Sequence, residues 1–455
     1  ANDQAQACEL VGPQQGVQPV PSYGVWLYDP GANKQSVIVP PEMGVWVTDV
    51  VAGEPRPQPA LIYDAIRTPR GRARADGGLT DISAFELLKT LYDSLAQRTG
   101  LDKNSVGDVI LGCVTQMGEQ GGNIAKTSLL YAGWPDAIPA MTINRFCSSG
   151  LDAVNIAAMK ISTGQATCTL AGGIEMMSRV PMLSDQAAMF ADANLALENR
   201  MLMMGSGADL IASLNNITRQ QVDEIALQSQ QRAAHARREN YFKSIIPVFN
   251  PSKNCWISED ECIRPDLTAA DLAQLTPYFA QLGTTGVDAL QLREHPHLKE
   301  ISHIHTAGNS PAMADAASLV MLGDKSLQKQ GLIPRARIRA ATTVCTDPLQ
   351  VVSGCAAATR QLLANQGLTS TDIDLFELHE AFAATSIKSQ RDLSISAEKL
   401  NVNGGVIALG HPMGATGGIM LGMLLDELER RNLQTGVVAT SGAAGIGTAL
   451  LIERV

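Results

Sequence analysis

The chain predicts a layered α/β fold made of two comparable halves with a segment inserted between them. Strand-like apolar runs alternate with helical periods over residues 58–179 and again over 301–455, while the rhythm lapses between 180 and 300. With 455 residues, 45% hydrophobic and 18% charged, there is apolar material for two core-bearing lobes. Forty glycines beside only 4% aromatic residues point to backbones packed closely on one another and on a ligand.

Residues 1–57 stand apart. Pro19, Pro21, Pro30, Pro40, Pro41, Pro55 and Pro57 interrupt short apolar pieces such as Val25-Trp26-Leu27-Tyr28 and Gly44-Val45-Trp46-Val47, which disfavours regular helices. The segment reads as an extension that is pinned along the body by its aromatic side chains or covers a subunit edge. The body opens with a strand at Ala60–Ala65. The turn after it carries Arg67, Arg70, Arg72 and Arg74, which reads as a solvated loop or an interface element, with anion binding the less common alternative.

Ser83 to Gln97 is expected to be a helix with Phe85, Leu88, Leu91, Tyr92 and Leu95 as its apolar stripe, followed by a buried strand over Val106–Val114. Leu151–Met159 is a helix, and Cys168–Gly173 a strand ending in glycines. The inserted segment holds a helix from Gln220 to Asn240 and another from Ala269 to Ala280. It reads as a loop domain with substrate-facing surfaces or as a purely structural insertion.

In the second half, Ala312–Met321 is expected to be a small-residue helix, Ala336–Val344 a strand, Leu349–Asn365 a helix and Leu375–Leu378 a strand, with a strand near 301–345 returning to the first half as the alternative boundary. Ile407–Leu425 forms a unit opened by glycines and a proline, and Thr435–Thr440 feeds a glycine turn into Thr448–Glu453. A relation of the halves by duplication is not visible in the literal sequence.

The formal net charge of −10 argues against nonspecific nucleic-acid binding. Eight cysteines with no CxxC and no short His/Cys cluster imply no metal and favour a reducing compartment, although Cys255 and Cys262 have a spacing that permits pairing under oxidising conditions. The sixteen methionines read as fillers of irregular core space. No leader-like basic and apolar run or membrane-crossing span is evident. A cytoplasmic location is expected, with mitochondrial matrix or peroxisome as alternatives where a targeting segment has been removed.

Three segments carry chemistry. Asn144-Arg145-Phe146-Cys147-Ser148-Ser149-Gly150 sets a thiol at a helix N-terminus, where the helix dipole favours a thiolate; an inert buried cysteine is the alternative. In Gly410-His411-Pro412-Met413-Gly414, the proline biases His411 towards extended backbone and helps fix where its imidazole points, towards a thiol proton or in a purely structural role. In His379-Glu380-Ala381-Phe382, His379 follows a strand and precedes a helix, positioned to donate, directly or through water, to a carbonyl oxygen acquiring charge. Glu380 either orients neighbouring groups or is a simple helix N-terminal charge.

Taken with Arg67-Thr68-Pro69, Ala171-Gly172-Gly173-Ile174-Glu175-Met176-Met177-Ser178, Arg264-Pro265-Asp266 and Thr306-Ala307-Gly308-Asn309-Ser310, these segments resemble the thiolase family over roughly residues 60 to 455. The resemblance implies a five-layered αβαβα sandwich, a loop domain over the acyl-CoA site, and a homodimer or homotetramer. It makes Cys147 the acyl-accepting nucleophile and His411 its activator. HEAF resembles the form found in long-chain β-oxidation thiolases, including the thiolase subunit of multifunctional complexes, so association with such a subunit is an expected alternative. It also implies water and oxyanion contacts at His379 and His411, and an oxyanion wall beside Gly447.

One departure stands out: Ser441-Gly442-Ala443-Ala444-Gly445-Ile446-Gly447 puts Ser441 where thiolases carry a second reactive cysteine. A hydroxyl ionises far less readily than a thiol, so Ser441 is a poor acid/base. The expected reaction is thiolysis of 3-ketoacyl-CoA, with acyl-CoA and coenzyme A as partners and substrates, no tightly bound cofactor and no nucleic acid. His235, Arg237, Arg238 and Ser310 are the candidate coenzyme A contacts, a solvent-facing helix end being the alternative for the three basic residues. Competing readings are an acyltransferase or thioesterase without Claisen chemistry, and a non-catalytic acyl-CoA-binding or structural subunit.

Overall fold

The structure is a computed structural model that describes residues 58–455 and, before them, two paired antiparallel strands, β1 (Val25–Asp29) and β2 (Lys34–Val39). The role expected of the N-terminal extension lies outside the described residues. The unit beginning at Pro57 runs to Val455 and includes the inserted segment.

Its strands are β3 (Leu61–Arg67), β4 (Gly71–Arg72), β5 (Asp108–Gly112), β6 (Ala140–Ile143), β7 (Cys168–Met176), β8 (Val248–Asn250), β9 (Cys255–Ile257), β10 (Ala314–Gly323), β11 (Ala336–Cys345), β12 (Leu375–Leu378), β13 (Thr435–Ser441) and β14 (Ile446–Arg454). The first half builds the order β6-β5-β7-β10-β3 and the second β11-β14-β13-β12; they join where Ala336 and Arg337 pair with Ile62 and Leu61. Strand β10 thus places residues 314–323 in the first half's sheet.

Five layers follow from how apolar faces are covered. Helix α1 (Ala84–Thr99) is capped by Ser83, whose hydroxyl accepts from Glu86 N–H, and stopped by Gly100 in the left-handed region. It buries Leu87, Leu88, Leu91, Tyr92 and Leu95, with α2 (Ile124–Tyr131), on the outer face of the first sheet. Each fully buried leucine contributes about 1.5–3 kcal/mol. Between the sheets lie α3 (Ser149–Ser162) and, from the second half, α8 (Thr416–Arg430); Leu151, Val154, Met420 and Leu424 share one core with Ile62, Val320, Val438 and Leu450. Outside the second sheet, Ala358 and Leu362 pack on Phe376, Val437 and Leu451.

Several expected elements change. Ala312–Met321 is not a helix: all of β10 is buried, with Ala317, Leu319 and Met321 facing the outer core and Val320 and Leu322 the central one. An apolar run with both faces covered lacks the polar alternation that marks a strand. The helix expected from Leu349 begins only at α6 (Gly354–Asn365), because Val351 holds φ 48 after a short turn. The expected Ala269–Ala280 helix stops at Ala273, ahead of Pro277. Ile407–Leu425 is split by Gly410-His411-Pro412, so α7 (Ala383–Leu393) is followed by a short Val406–Leu409 helix before α8.

The arginine turn is corrected too. Arg67 and Arg70 are fully buried, and both bind Asp260 of the inserted segment: Arg67 through Nη1 and Nη2 at 2.7 and 2.8 Å, Arg70 through its backbone N–H at 2.8 Å and Nη1 at 3.2 Å. Only Arg72 and Arg74 are exposed. The paired guanidinium groups hold the Asp260 carboxyl below its ordinary range despite its burial. Cys255 and Cys262 are unpaired thiols, one exposed and the other buried.

The main helices of the inserted segment are α4 (Met204–Leu214) and α5 (Arg219–Arg238). Leu210, Ile211, Val222 and Ala226 form a core with Val351, Phe382, Ile407 and Ala443 of the second half. The insertion is therefore fastened to the loops that carry the candidate chemistry.

Candidate active site

Cys147 follows β6 and sits one residue before the N-cap of α3. Its turn is fixed locally: Asn144 Oδ1 accepts from Phe146 N–H at 2.8 Å, Ser149 Oγ accepts from Arg145 N–H at 2.8 Å, and Phe146 holds φ 49. Ser148 ties the turn to the end of β13, where Thr440 Oγ1 donates to Ser148 Oγ at 3.0 Å. Thus a thiol from the first half is held against the second.

Cys147, His379 and His411 line one cavity of about 120 Å3, with Met177, Met182, Met204, Met313, Met413 and Phe382 among its walls. A second cavity of about 80 Å3 also borders Cys147 and is walled by Phe146, Leu183, Phe190 and Ala443. The imidazole rings stand with centroids 4.5 Å apart. Of the methionines, Met176, Met321, Met420 and Met423 fill the cores as expected, while the cavity wall takes the others just named.

The hydrogen bonds decide the tautomers. His379 Nδ1 lies 3.2 Å from the Ser441 carbonyl oxygen, which only accepts, so Nδ1 carries the proton. Thr416 gives its one hydroxyl proton to the Pro412 carbonyl at 3.0 Å, so its oxygen accepts from His411 Nδ1 at 2.8 Å. Both Nε2 atoms are buried without a protein partner and present lone pairs. In this state neither ring donates at Nε2. With this tautomer, direct donation by His379 to an oxygen acquiring charge requires a protonated ring, whereas contact through a water held on the Nε2 lone pair does not.

Burial sets the charges. It holds His379 down to about 4 and His411 well below the usual imidazole value, the latter aided by His379 and then Arg70. The Cys147 thiol is pushed up to about 12, first by burial and then by the Glu175 carboxylate. Desolvation thus opposes the thiolate that the helix N-terminus favours. A neutral thiol faces two neutral bases.

Two residues that the sequence did not single out organise this arrangement. Buried Glu175 accepts from Val114 N–H, Thr115 N–H, Gln120 Nε2 and Gly414 N–H, at 3.0, 3.0, 3.1 and 2.9 Å, joining the loop after β5 to the loop bearing His411. Thr416 orients His411. Glu380, for which two readings stood open, is an internal clamp: it accepts from Ser229 Oγ at 2.8 Å and Ile407 N–H at 3.2 Å, fastening α5 to the approach to His411.

Ser441 lies outside the lining of both cavities; its buried Oγ accepts from Cys355 N–H at 2.9 Å. Gly447 is likewise outside both linings and faces Gly354, whose carbonyl oxygen would lie 2.0 Å from an added Cβ. Gly442 and Ala443, rather than Gly447, approach the Cys147 turn and second cavity. Ser310 Oγ is buried without a protein partner, next to the cavity residues Pro311 and Ala312. His235, Arg237 and Arg238 are at the carboxyl end of α5, away from both linings; Arg238 Nη2 meets His235 Nδ1 at 3.0 Å and Arg237 faces Glu259 at 3.6 Å. Among the described residues no group of three or more His, Cys, Asp or Glu is arranged to hold a metal ion.

A thiol and two neutral imidazoles share an apolar cavity where two stacked α/β halves meet. Residues 60–326 match the family Thiolase, N-terminal domain, and residues 332–454 match Thiolase, C-terminal domain. The chain belongs to the thiolase family. It is 38% identical over 404 residues to a 3-ketoacyl-CoA thiolase of Serratia proteamaculans, covering 87% of this chain and 99% of the relative. A 3-ketoacyl-CoA thiolase of Shewanella frigidimarina is 37% identical over 409 residues, with 87% and 99% covered. The crystal structure of the Bacillus anthracis acetyl-CoA acetyltransferase superposes with a TM-score of 0.76 at 32% identity, covering 88% of this chain and 100% of that one. Thiolase-type acyl-CoA transfer follows from these relationships.

Proposed function

We propose that the protein cleaves 3-ketoacyl-CoA with coenzyme A, giving acetyl-CoA and a shortened acyl-CoA through a thioester on Cys147. The observation that carries this reading is the single cavity shared by Cys147 and the Nε2 lone pairs of His379 and His411. His411 takes the thiol proton as sulfur attacks the 3-keto carbon. Because thiol and imidazole start neutral, charge separates only as the substrate reacts, inside walls that exclude water. The apolar lining supports an acyl group, and the basic end of α5 with Ser310 supports coenzyme A contacts. A homodimer or homotetramer, association with a multifunctional β-oxidation subunit and a cytoplasmic setting belong to this proposal.

The position of Ser441 favours one second reading, acyl transfer or thioester hydrolysis without carbon-carbon chemistry. Incubation with medium- and long-chain 3-ketoacyl-CoA plus free coenzyme A separates the two. Thiolysis yields acetyl-CoA and the shortened acyl-CoA in equal amounts; release of the intact 3-keto acid with no acetyl-CoA supports hydrolysis and contradicts the proposal.

A further inference from the structure

Breaking the bond between the α-carbon and the 3-keto carbon leaves an enolate that must gain a proton, and the reverse condensation must remove one. Of the residues around the main cavity, the titratable ones are Cys147, His379 and His411. Cys147 carries the acyl group and His411 serves its sulfur. Ser441 is not at the cavity, and its oxygen already accepts from Cys355 N–H.

We propose that His379 is the acid/base at the α-carbon, and that it shares a single mobile proton with His411. The inference rests on the thiolase reading given above. The Ser441 carbonyl fixes the His379 proton on Nδ1 and leaves the Nε2 lone pair, buried and without a protein partner, on the cavity wall. The adjacent rings, with centroids 4.5 Å apart, disfavour a second proton on the pair.

In cleavage, His411 Nε2 takes the Cys147 proton as Sγ bonds to the 3-keto carbon. The proton crosses to His379 Nε2. The carbon-carbon bond then breaks with its electron pair left on the α-carbon, and His379 delivers the proton there, giving the acetyl-CoA methyl group and two neutral rings. In the second half-reaction His411 receives the coenzyme A thiol proton as that sulfur attacks the acyl carbonyl, and returns it to Cys147 as Sγ leaves. Condensation runs the same steps backwards, with neutral His379 as the α-carbon base.

Two exchange reactions of acetyl-CoA test this in the full chain. Transfer of isotope between acetyl-CoA and labelled coenzyme A reads acylation of Cys147, whereas deuterium uptake into the acetyl methyl group in heavy water reads α-proton removal. His379→Asn is expected to lose deuterium uptake by about 100-fold or more while keeping coenzyme A exchange within about tenfold. Ser441→Ala is expected to keep both. Undiminished deuterium uptake in His379→Asn, equal falls in both reactions, or loss of uptake in Ser441→Ala overturns the assignment. In the unmodified protein, coenzyme A exchange without deuterium uptake overturns this inference alone, whereas absence of both overturns the thiolase reading with it.

Discussion

At the residue scale, Glu175 shows how one buried carboxylate serves geometry and charge together. Its N–H donors favour the ionised form while burial opposes it, and its charge adds to the burial that keeps Cys147 a thiol. Glu175→Gln removes a negative charge, so the thiolate becomes less unfavourable and the pH dependence of Cys147 alkylation by iodoacetamide moves to lower pH, by about one unit. Burial, the larger cause, remains, so alkylation still climbs through alkaline pH. An unshifted profile in a folded variant contradicts this account. Cys147, His379 and His411 are legible in sequence because each has distinctive turn or strand-to-helix flanks. Glu175 and Thr416 are not, since their roles depend on partners brought together by folding.

At the element scale, the site depends on how closely three backbones cross. A Cβ at Gly173 in β7 would lie 2.0 Å from the Gly414 carbonyl oxygen, and one at Gly150 in α3 would lie 2.4 Å from the same atom. The glycines let the His411 loop rest on the strand and on the helix that follows Cys147. Gly173→Ala must push that loop outward, costing about 1–3 kcal/mol or more and displacing His411. Urea unfolding and activity per folded molecule should fall together; wild-type values for both would show that the close crossing is dispensable. The glycine-rich character of these segments was readable, but which backbone each meets was not. The same limit explains β10, whose helix-like pattern comes from two apolar neighbours rather than one.

At the scale of the whole molecule, the halves supply different reactants and the insertion fastens them. Cys147 comes from the first half, His379 and His411 from the second. The insertion reaches both: Asp260 gathers Arg67 and Arg70 at the end of the first β-strand of the body, and Ser229 holds Glu380 beside the second half's loops. The layered architecture was legible from alternating elements and from the thiolase-like segments together. The buried Arg67–Asp260–Arg70 cluster was not, because local arginine density looks the same in a solvated turn until its distant carboxylate is known. No described helix is long and apolar enough to cross a membrane.

The central claim is that the Cys147 sulfur accepts the acyl group of a 3-ketoacyl thioester. The most direct measurement is rapid quenching after mixing with 3-ketoacyl-CoA without free coenzyme A, followed by mass analysis of the Cys147 peptide. The account predicts transient addition of the acyl chain shortened by two carbons, together with release of acetyl-CoA. An unmodified Cys147 peptide while acetyl-CoA accumulates, or the adduct on another residue, would contradict it.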